Sequence, residues 1–211
     1  MAGRVTPFLA WVMVTIETLT IEASELAASD AFYEALGLTP RVRVAPSSSR
    51  LVGYRGFVLG LVASQPAMVD ALAAAALSAG GRTLRAPSRS LWGYGGAVGA
   101  PDGTVVSLAS SPKKSKGPAR SELEHVVLQL GVADVARSRR FYAERGFTVA
   151  KSFGRRFAEL TTGEVTLTLN PREKLARTMG VDANDAPERG LVIAADVEPF
   201  RDPDGFVWER P

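Results

Sequence analysis

The sequence predicts an α+β fold with mixed sheets, in two lobes with the second abbreviated. Three observations carry this prediction. Strand-like alternation and helix-like periodicity succeed one another as strand, helix, strand, strand, not as strict strand–helix alternation. The same order occurs twice along the chain. A polar stretch with proline near both ends, Ser110-Ser111-Pro112-Lys113-Lys114-Ser115-Lys116-Gly117-Pro118, separates the two copies.

In the first copy, residues 14–23 alternate as a strand should. Leu19, Ile21 and Ala23 point one way, and Thr18, Thr20 and Glu22 the other. Ser24 offers an N-cap to a helix with Ala28, Phe32, Ala35 and Leu36 on one side, and Gly37 is its natural stop. Strands are predicted at 42–45, 51–54 and 57–63. Pro66 then opens an alanine-rich helix that ends at Gly80-Gly81. Two or three strands follow, including 97–98 and 104–109, with the turn Pro101-Asp102-Gly103 between them.

In the second copy, residues 125–132 repeat the first strand, Leu128, Leu130 and Val132 taking the places of Leu19, Ile21 and Ala23. Asp134 caps a helix that runs to Gly146. Strands are predicted at 148–152, 156–160 and 165–170. A short helix at 172–179, a strand at 191–195 and a last strand at 206–210, after Pro203-Asp204-Gly205, complete the chain. Phe32-Tyr33 thus recurs as Phe141-Tyr142, and Pro101-Asp102-Gly103 as Pro203-Asp204-Gly205. The second separation is shorter than the first, so the second half has lost residues. It lacks the long alanine-rich helix and a strand beside it. The expected division is an N-terminal extension (1–13), a first lobe (14–110), a linker (111–119) and a shortened second lobe (120–211).

Bulk properties narrow the function. With 46% hydrophobic and 22% charged residues, the composition is that of an ordinary globular protein. The net charge of +3 is too small to argue for nucleic acid. Lys113, Lys114 and Lys116 cluster, but in the linker, and read as its solvated charges. The chain has no cysteine, which excludes disulfides and thiol catalysis and suits a reducing compartment. No apolar run reaches the roughly 20 residues that a bilayer span needs. A cytoplasmic protein is therefore expected. Residues 8–14 are apolar and follow Arg4, yet no small-residue cleavage site follows them. They read as a surface tail, or as sequence ahead of an alternative start at Met13.

The motifs resemble a known family. A strand, an acidic residue, a helix ending in Phe-Tyr and then a glycine reads here as Glu25–Phe32-Tyr33–Gly37 and again as Asp134–Phe141-Tyr142–Gly146. The run Asp202-Pro203-Asp204-Gly205-Phe206-Val207-Trp208-Glu209 supplies a second signature, and Leu91-Trp92-Gly93-Tyr94-Gly95-Gly96 a third. Together they resemble the vicinal oxygen chelate (glyoxalase/bleomycin resistance protein/dioxygenase) superfamily, in tandem form, over most of residues 14–210. The resemblance implies two βαβββ modules curling their sheets into a cup. It also implies, in active members, a divalent metal held by the first and last strands of each module. Glyoxalases, extradiol dioxygenases, epimerases, transferases and drug-sequestering proteins share this fold, so it names no chemistry.

The metal positions implied by the resemblance are mostly not ligands. The first ligand, seven residues before the acidic residue at the helix start, falls on Thr18 and on Val127. The last, four residues after the turn glycine, falls on Ser107 and on Glu209. A divalent metal needs three or more converging His, Asp or Glu groups. His125, the sole histidine, stands two residues from Val127 and so on the same face. It is expected to reach into the second cup with Glu209, with Asn170 or Thr168 adding a neutral oxygen. That makes His125 and Glu209 the candidate catalytic groups. His125 also reads as a surface residue paired with Glu122 or Glu124, and Glu209 as a structural hydrogen-bonding group.

Aromatic residues suggest a ligand instead. Trp92 and Tyr94 flank a glycine, Tyr54 and Phe57 flank Arg55-Gly56, and Phe153 and Phe157 flank Gly154-Arg155-Arg156. Apolar walls with few polar groups suit a flat organic molecule. The candidate ligand-binding residues are Thr18, Thr20, Glu22, Tyr54, Phe57, Trp92, Tyr94, Gln129 and Phe153, whereas Trp208 should face the helices. The expected function is binding of a small aromatic or hydrophobic molecule in a cup without a complete metal site. The alternative is a lyase, isomerase, dioxygenase or transferase of the same superfamily with a degenerate site using His125 and Glu209. No cofactor is expected, a divalent metal being the minor alternative. The partner is a small molecule, not nucleic acid or membrane, and the chain is read as a monomer or homodimer.

Overall fold

The computed structural model describes residues 13–47, 53–91, 93–116, 123–183 and 189–211. Strand β1 (Ile16–Ala23) alternates as its sequence requires: Leu19, Ile21 and Ala23 are buried, while Thr18, Thr20 and Glu22 lie half-buried on the other face. Helix α1 (Leu26–Ala35) follows. Its N-cap is Glu25, without a side-chain bond, and not Ser24 as expected. Gly37, at φ 68°, ends α1 and lets the Leu38 N–H donate to the Tyr33 carbonyl at 3.0 Å. Strand β2 (Val42–Pro46) comes next. Of the strand expected at 51–54, residues 51 and 52 lie outside the described residues, and Gly53 and Tyr54 are not in a strand.

A complete module follows: β3 (Phe57–Ala63), α2 (Pro66–Ser78), β4 (Arg82–Ser90), β5 (Gly93–Gly99) and β6 (Val105–Ser110). Pro66 opens α2, where its missing N–H costs no helical bond. Strand β4 carries Pro87 and three arginines, a composition poor in strand formers. It is tolerated because β4 is the sheet edge, where a missing donor leaves no ladder bond unmade. A second complete module comprises β7 (Leu123–Val132), α3 (Val135–Ala143), β8 (Thr148–Ser152), β9 (Ala158–Thr161) and β10 (Val165–Pro171). The Asp134 carboxylate caps α3, accepting from the N–H groups of Ala136 (2.9 Å) and Arg137 (3.1 Å). Helix α4 (Arg172–Met179) ends at Gly180, and β11 (Leu191–Ala195), β12 (Phe200–Arg201) and β13 (Val207–Glu209) finish the chain.

The strands form two sheets. The larger has the order β4-β5-β6-β3-β7-β10-β9-β8 and consists of the two complete modules. Each places its first and last strands side by side in parallel, β3 with β6 and β7 with β10. The modules meet where β3 pairs antiparallel with β7, Gly60 opposite Val127. The smaller sheet, β12-β13-β11-β1-β2, is built the same way from two abbreviated modules. Here β1 runs parallel to β2 and β11 to β13, and β1 meets β11 antiparallel, Thr18 opposite Ala194. Matching backbone bonds mark the two junctions: Glu22 N–H to the Gly190 carbonyl (2.9 Å) and Gly131 N–H to the Gly56 carbonyl (2.7 Å). Each sheet thus takes one module from each half of the chain.

One hydrophobic core joins both sheets and three helices. Leu19, Ile21, Ile193 and Trp208 of the small sheet meet Phe57, Leu59, Leu128 and Leu130 of the large one, with Phe32, Met68 and Tyr142 from α1, α2 and α3. A second cluster lies on the opposite face of the large sheet. There Leu175, Ala176 and Met179 of α4 cover Tyr54, Val58, Ala97 and Val105. The alternation of Leu59 into one core and Val58 into the other places α4 on the open face. No helix among the described residues is long and apolar enough to cross a membrane.

Candidate functional site

Each sheet has one face against the main core and one turned away from it. On the open face of the large sheet, the strand register sets Thr166, Val127, Gly60 and Ser107 in a row across β10, β7, β3 and β6. The next row is Glu159, Thr168, Gln129, Val58 and Val105. Gln129 reaches back across the rows, its Nε2 donating to Ser107 Oγ at 2.9 Å. Asn170 Nδ2 donates to Thr168 Oγ1 at 3.1 Å. Helix α4 covers one end of this face. Val127 and Gln129 beside it remain half-buried, and His125 at the other end is exposed.

On the open face of the small sheet, Thr18, Ala194 and Glu209 form the equivalent row, and Thr20, Val192 and Val207 the next. Glu22 lies beyond, its Oε2 accepting from Ser47 Oγ at 3.2 Å. The resemblance puts metal ligands at Val127 and Ser107 in one of these rows and at Thr18 and Glu209 in the other. Together the two rows contain one carboxylate and three hydroxyls, those of Thr18, Ser107 and Thr166. Among the described residues no three His, Asp or Glu side chains converge. The residues present do not fit a divalent metal, since a single carboxylate with hydroxyls falls short of the ligand set such an ion requires.

Several expected site residues lie elsewhere. His125 and Glu209 do not share a cup: His125 is on β7 of the large sheet and Glu209 on β13 of the small one. The physical reason is the cross-half pairing, which gives the third module to the second and the fourth to the first. Phe57 faces the main core, 1% exposed and edge-on to Phe206 at 6.5 Å, so it lines no cup. Tyr94 turns to the helix side as well, its hydroxyl donating to Asp70 of α2 at 2.7 Å. Tyr54 is buried under α4, and its hydroxyl has no hydrogen-bond partner among the described residues. Phe153 is 60% exposed in the β8–β9 turn, 6.1 Å from Phe157. Trp92 lies outside the described residues. Two clefts, of 780 and 1050 Å³, sit at the start of α4 and beside the end of α3, and none of the expected site residues lines either.

The Phe-Tyr and Pro-Asp-Gly motifs prove to bind each other. Tyr33 donates to Asp102 Oδ2 at 2.7 Å and Tyr142 to Asp202 Oδ2 at 2.5 Å. Asp102 also pairs with Arg55 at 3.2 Å, both side chains almost fully buried. Arg55 in turn donates to Thr104 Oγ1 and to the Glu22 carbonyl at 2.9 Å. Burial pushes both tyrosine hydroxyls well above their usual range and lowers Arg55. These buried, mutually bonded groups tie helices to turns; they are not exposed to a ligand. The aspartates also hold their own turns, Asp202 Oδ1 accepting from the Asp204 and Phe206 N–H groups. The sequence motifs do not reveal the tyrosine partners, which stand 69 and 60 residues away.

No protein-family profile and no curated protein matches the sequence. Solved structures do match. Glyoxalase I of Zea mays superposes with a TM-score of 0.56 at 14% identity, over 92% of this chain and 91% of that one. A proposed dioxygenase of Bacillus subtilis gives 0.54 at 10% identity, over 92% and 83%. The chain has the vicinal oxygen chelate fold. At these identities the likeness speaks to the fold and not to the reaction. Within that fold this chain arranges two complete and two abbreviated modules, and the ligand positions that the resemblance implies carry threonine, valine, serine and a single glutamate.

Proposed function

We propose that the protein binds a small, largely apolar molecule on the open face of the large sheet, and that it does so without a metal. One observation carries the reading: at the positions where the resemblance implies metal ligands, this sheet presents Val127 and Ser107, with Gly60 between them and Gln129 bonded to Ser107. Apolar groups with a few converging uncharged polar ones are the usual lining of a small-molecule site. Helix α4 closes one end of the face and leaves its foot accessible. The enzyme alternative depended on His125 and Glu209 acting together, and they belong to different sheets. The partner in this reading is a small molecule, not nucleic acid or membrane.

Thermal melting in excess chelator, against a panel of aromatic natural products, tests this reading. A ligand present at 100 times its Kd stabilises by about 2.7 kcal/mol. For a chain of this size that raises Tm by about 5 °C or more. A saturable rise that chelator does not abolish is expected. A panel without any shift, or a shift that requires added divalent metal, overturns it.

A further inference from the structure

Gln129 lies over a floor position that lacks a side chain. A Cβ built on Gly60 would stand 2.9 Å from Gln129 Nε2, 3.2 Å from Val127 Cβ and 3.4 Å from Ser107 Oγ. Glycine thus lets the Gln129 amide lie flat across the sheet and reach Ser107. One Nε2 hydrogen is used in that bond. The other Nε2–H and the Oε1 carbonyl form a free amide edge, one donor beside one acceptor. Next to it in register is Thr168, whose oxygen accepts from Asn170 and whose own hydroxyl proton is still available. Ser107 likewise keeps its proton to donate.

All four polar side chains here are uncharged. Charged groups border the floor on several sides: Arg172 against Gly131, Arg82 over Gly99, and Glu159 paired with Lys151 at 3.2 Å. A carboxylate placed against Gln129 would set one of its oxygens beside Oε1, acceptor against acceptor. A planar amide's own donor–acceptor edge complements that of Gln129. We propose that this floor selects planar ligands with a lactam or carboxamide edge, which pairs with Gln129 while the ring lies over Val127. The proposal rests on the small-molecule reading above and names the ligand class for that site.

Three probes of one shape separate the possibilities: isoquinolinone, naphthoate and naphthalene, titrated calorimetrically in chelator. Isoquinolinone should bind at least tenfold more tightly than either of the others. Gln129→Leu, of similar volume without the amide, should reduce isoquinolinone affinity at least tenfold and should not reduce naphthalene affinity to the same degree. Gly60→Ala, which displaces the amide, should weaken isoquinolinone in the same direction. Circular dichroism and Tm of both variants show whether they fold. Naphthoate binding as well as isoquinolinone, or isoquinolinone binding unchanged in Gln129→Leu, overturns the amide proposal and leaves the small-molecule reading standing. Absence of binding by all three probes, together with a silent natural-product panel, overturns both.

Discussion

Tyr33 and Tyr142 hold the same place in two helices, but their aspartates come from different places in the turn. Asp202 precedes its proline; Ala100 stands at that position in the first half, and Asp102, after the proline, takes over the bond. Asp102 is then within reach of Arg55, which Asp202 has no counterpart for. This asymmetry predicts unequal costs. Tyr142→Phe removes the donor to Asp202 and the acceptor of Trp208 Nε1, so a loss of about 1–3 kcal/mol is expected in urea unfolding. Tyr33→Phe should cost less, because Arg55 still compensates Asp102. The carboxylates also predict opposite pH slopes. Burial raises Asp202 despite its hydrogen bonds, so the folded state holds that proton more tightly than the unfolded chain does. Its contribution to stability is greatest in acid and is lost as pH rises through the raised value. Asp134, lowered by the Arg137 N–H it accepts from at the start of α3, contributes above the usual carboxylate range and loses that contribution as pH falls. Stability curves from pH 3 to 7 for Asp202→Asn and Asp134→Ala, each subtracted from wild type, should therefore slope in opposite directions. Parallel slopes would contradict the burial assigned to Asp202.

Among the elements, α4 stands apart. It joins none of the main core and packs through Leu175, Ala176 and Met179 onto the open face of the large sheet. Its stability is therefore expected to be local. Leu175→Ala leaves a cavity in a small cluster that can partly collapse, so a cost at or below the usual 2–5 kcal/mol is expected. Hydrogen exchange should quicken across 172–179 while Leu128, Leu130 and Leu59 keep their protection. Uniform loss of protection would show instead that α4 and the main core open together. Strand β3 shows why some side chains were misplaced from sequence. Phe57, Leu59, Leu61 and Ala63 face one core, while Val58 packs beneath α4. Both sides are apolar, so no alternation reveals which way Phe57 points. Strand β5 is rich in glycine and gives no phase for Tyr94 either. Strand β1, half polar, could be read correctly residue by residue.

For the molecule as a whole, each half contributes one complete and one abbreviated module, and modules of like size pair. Separation of the halves would expose the paired edges of β3, β7, β1 and β11. Residues 1–116 and 117–211, produced together as two chains, should therefore copurify and melt as one unit, and each alone should aggregate. Two halves that fold independently and remain apart would refute the cross-half sheets. The sequence by itself determined the elements, the internal repeat and the poverty of metal ligands, because these depend on local periodicity, turn chemistry and residue identity. It placed α2, β3, β8, α4 and β11 closely for the same reason. Only the tertiary structure decided which module pairs with which, that His125 and Glu209 serve different cups, and that Gln129 meets Ser107 over Gly60. Those outcomes depend on which strand edges meet, and strand pairing between distant segments is set by the packing of both sheets around one core, which leaves no trace in any single stretch of chain.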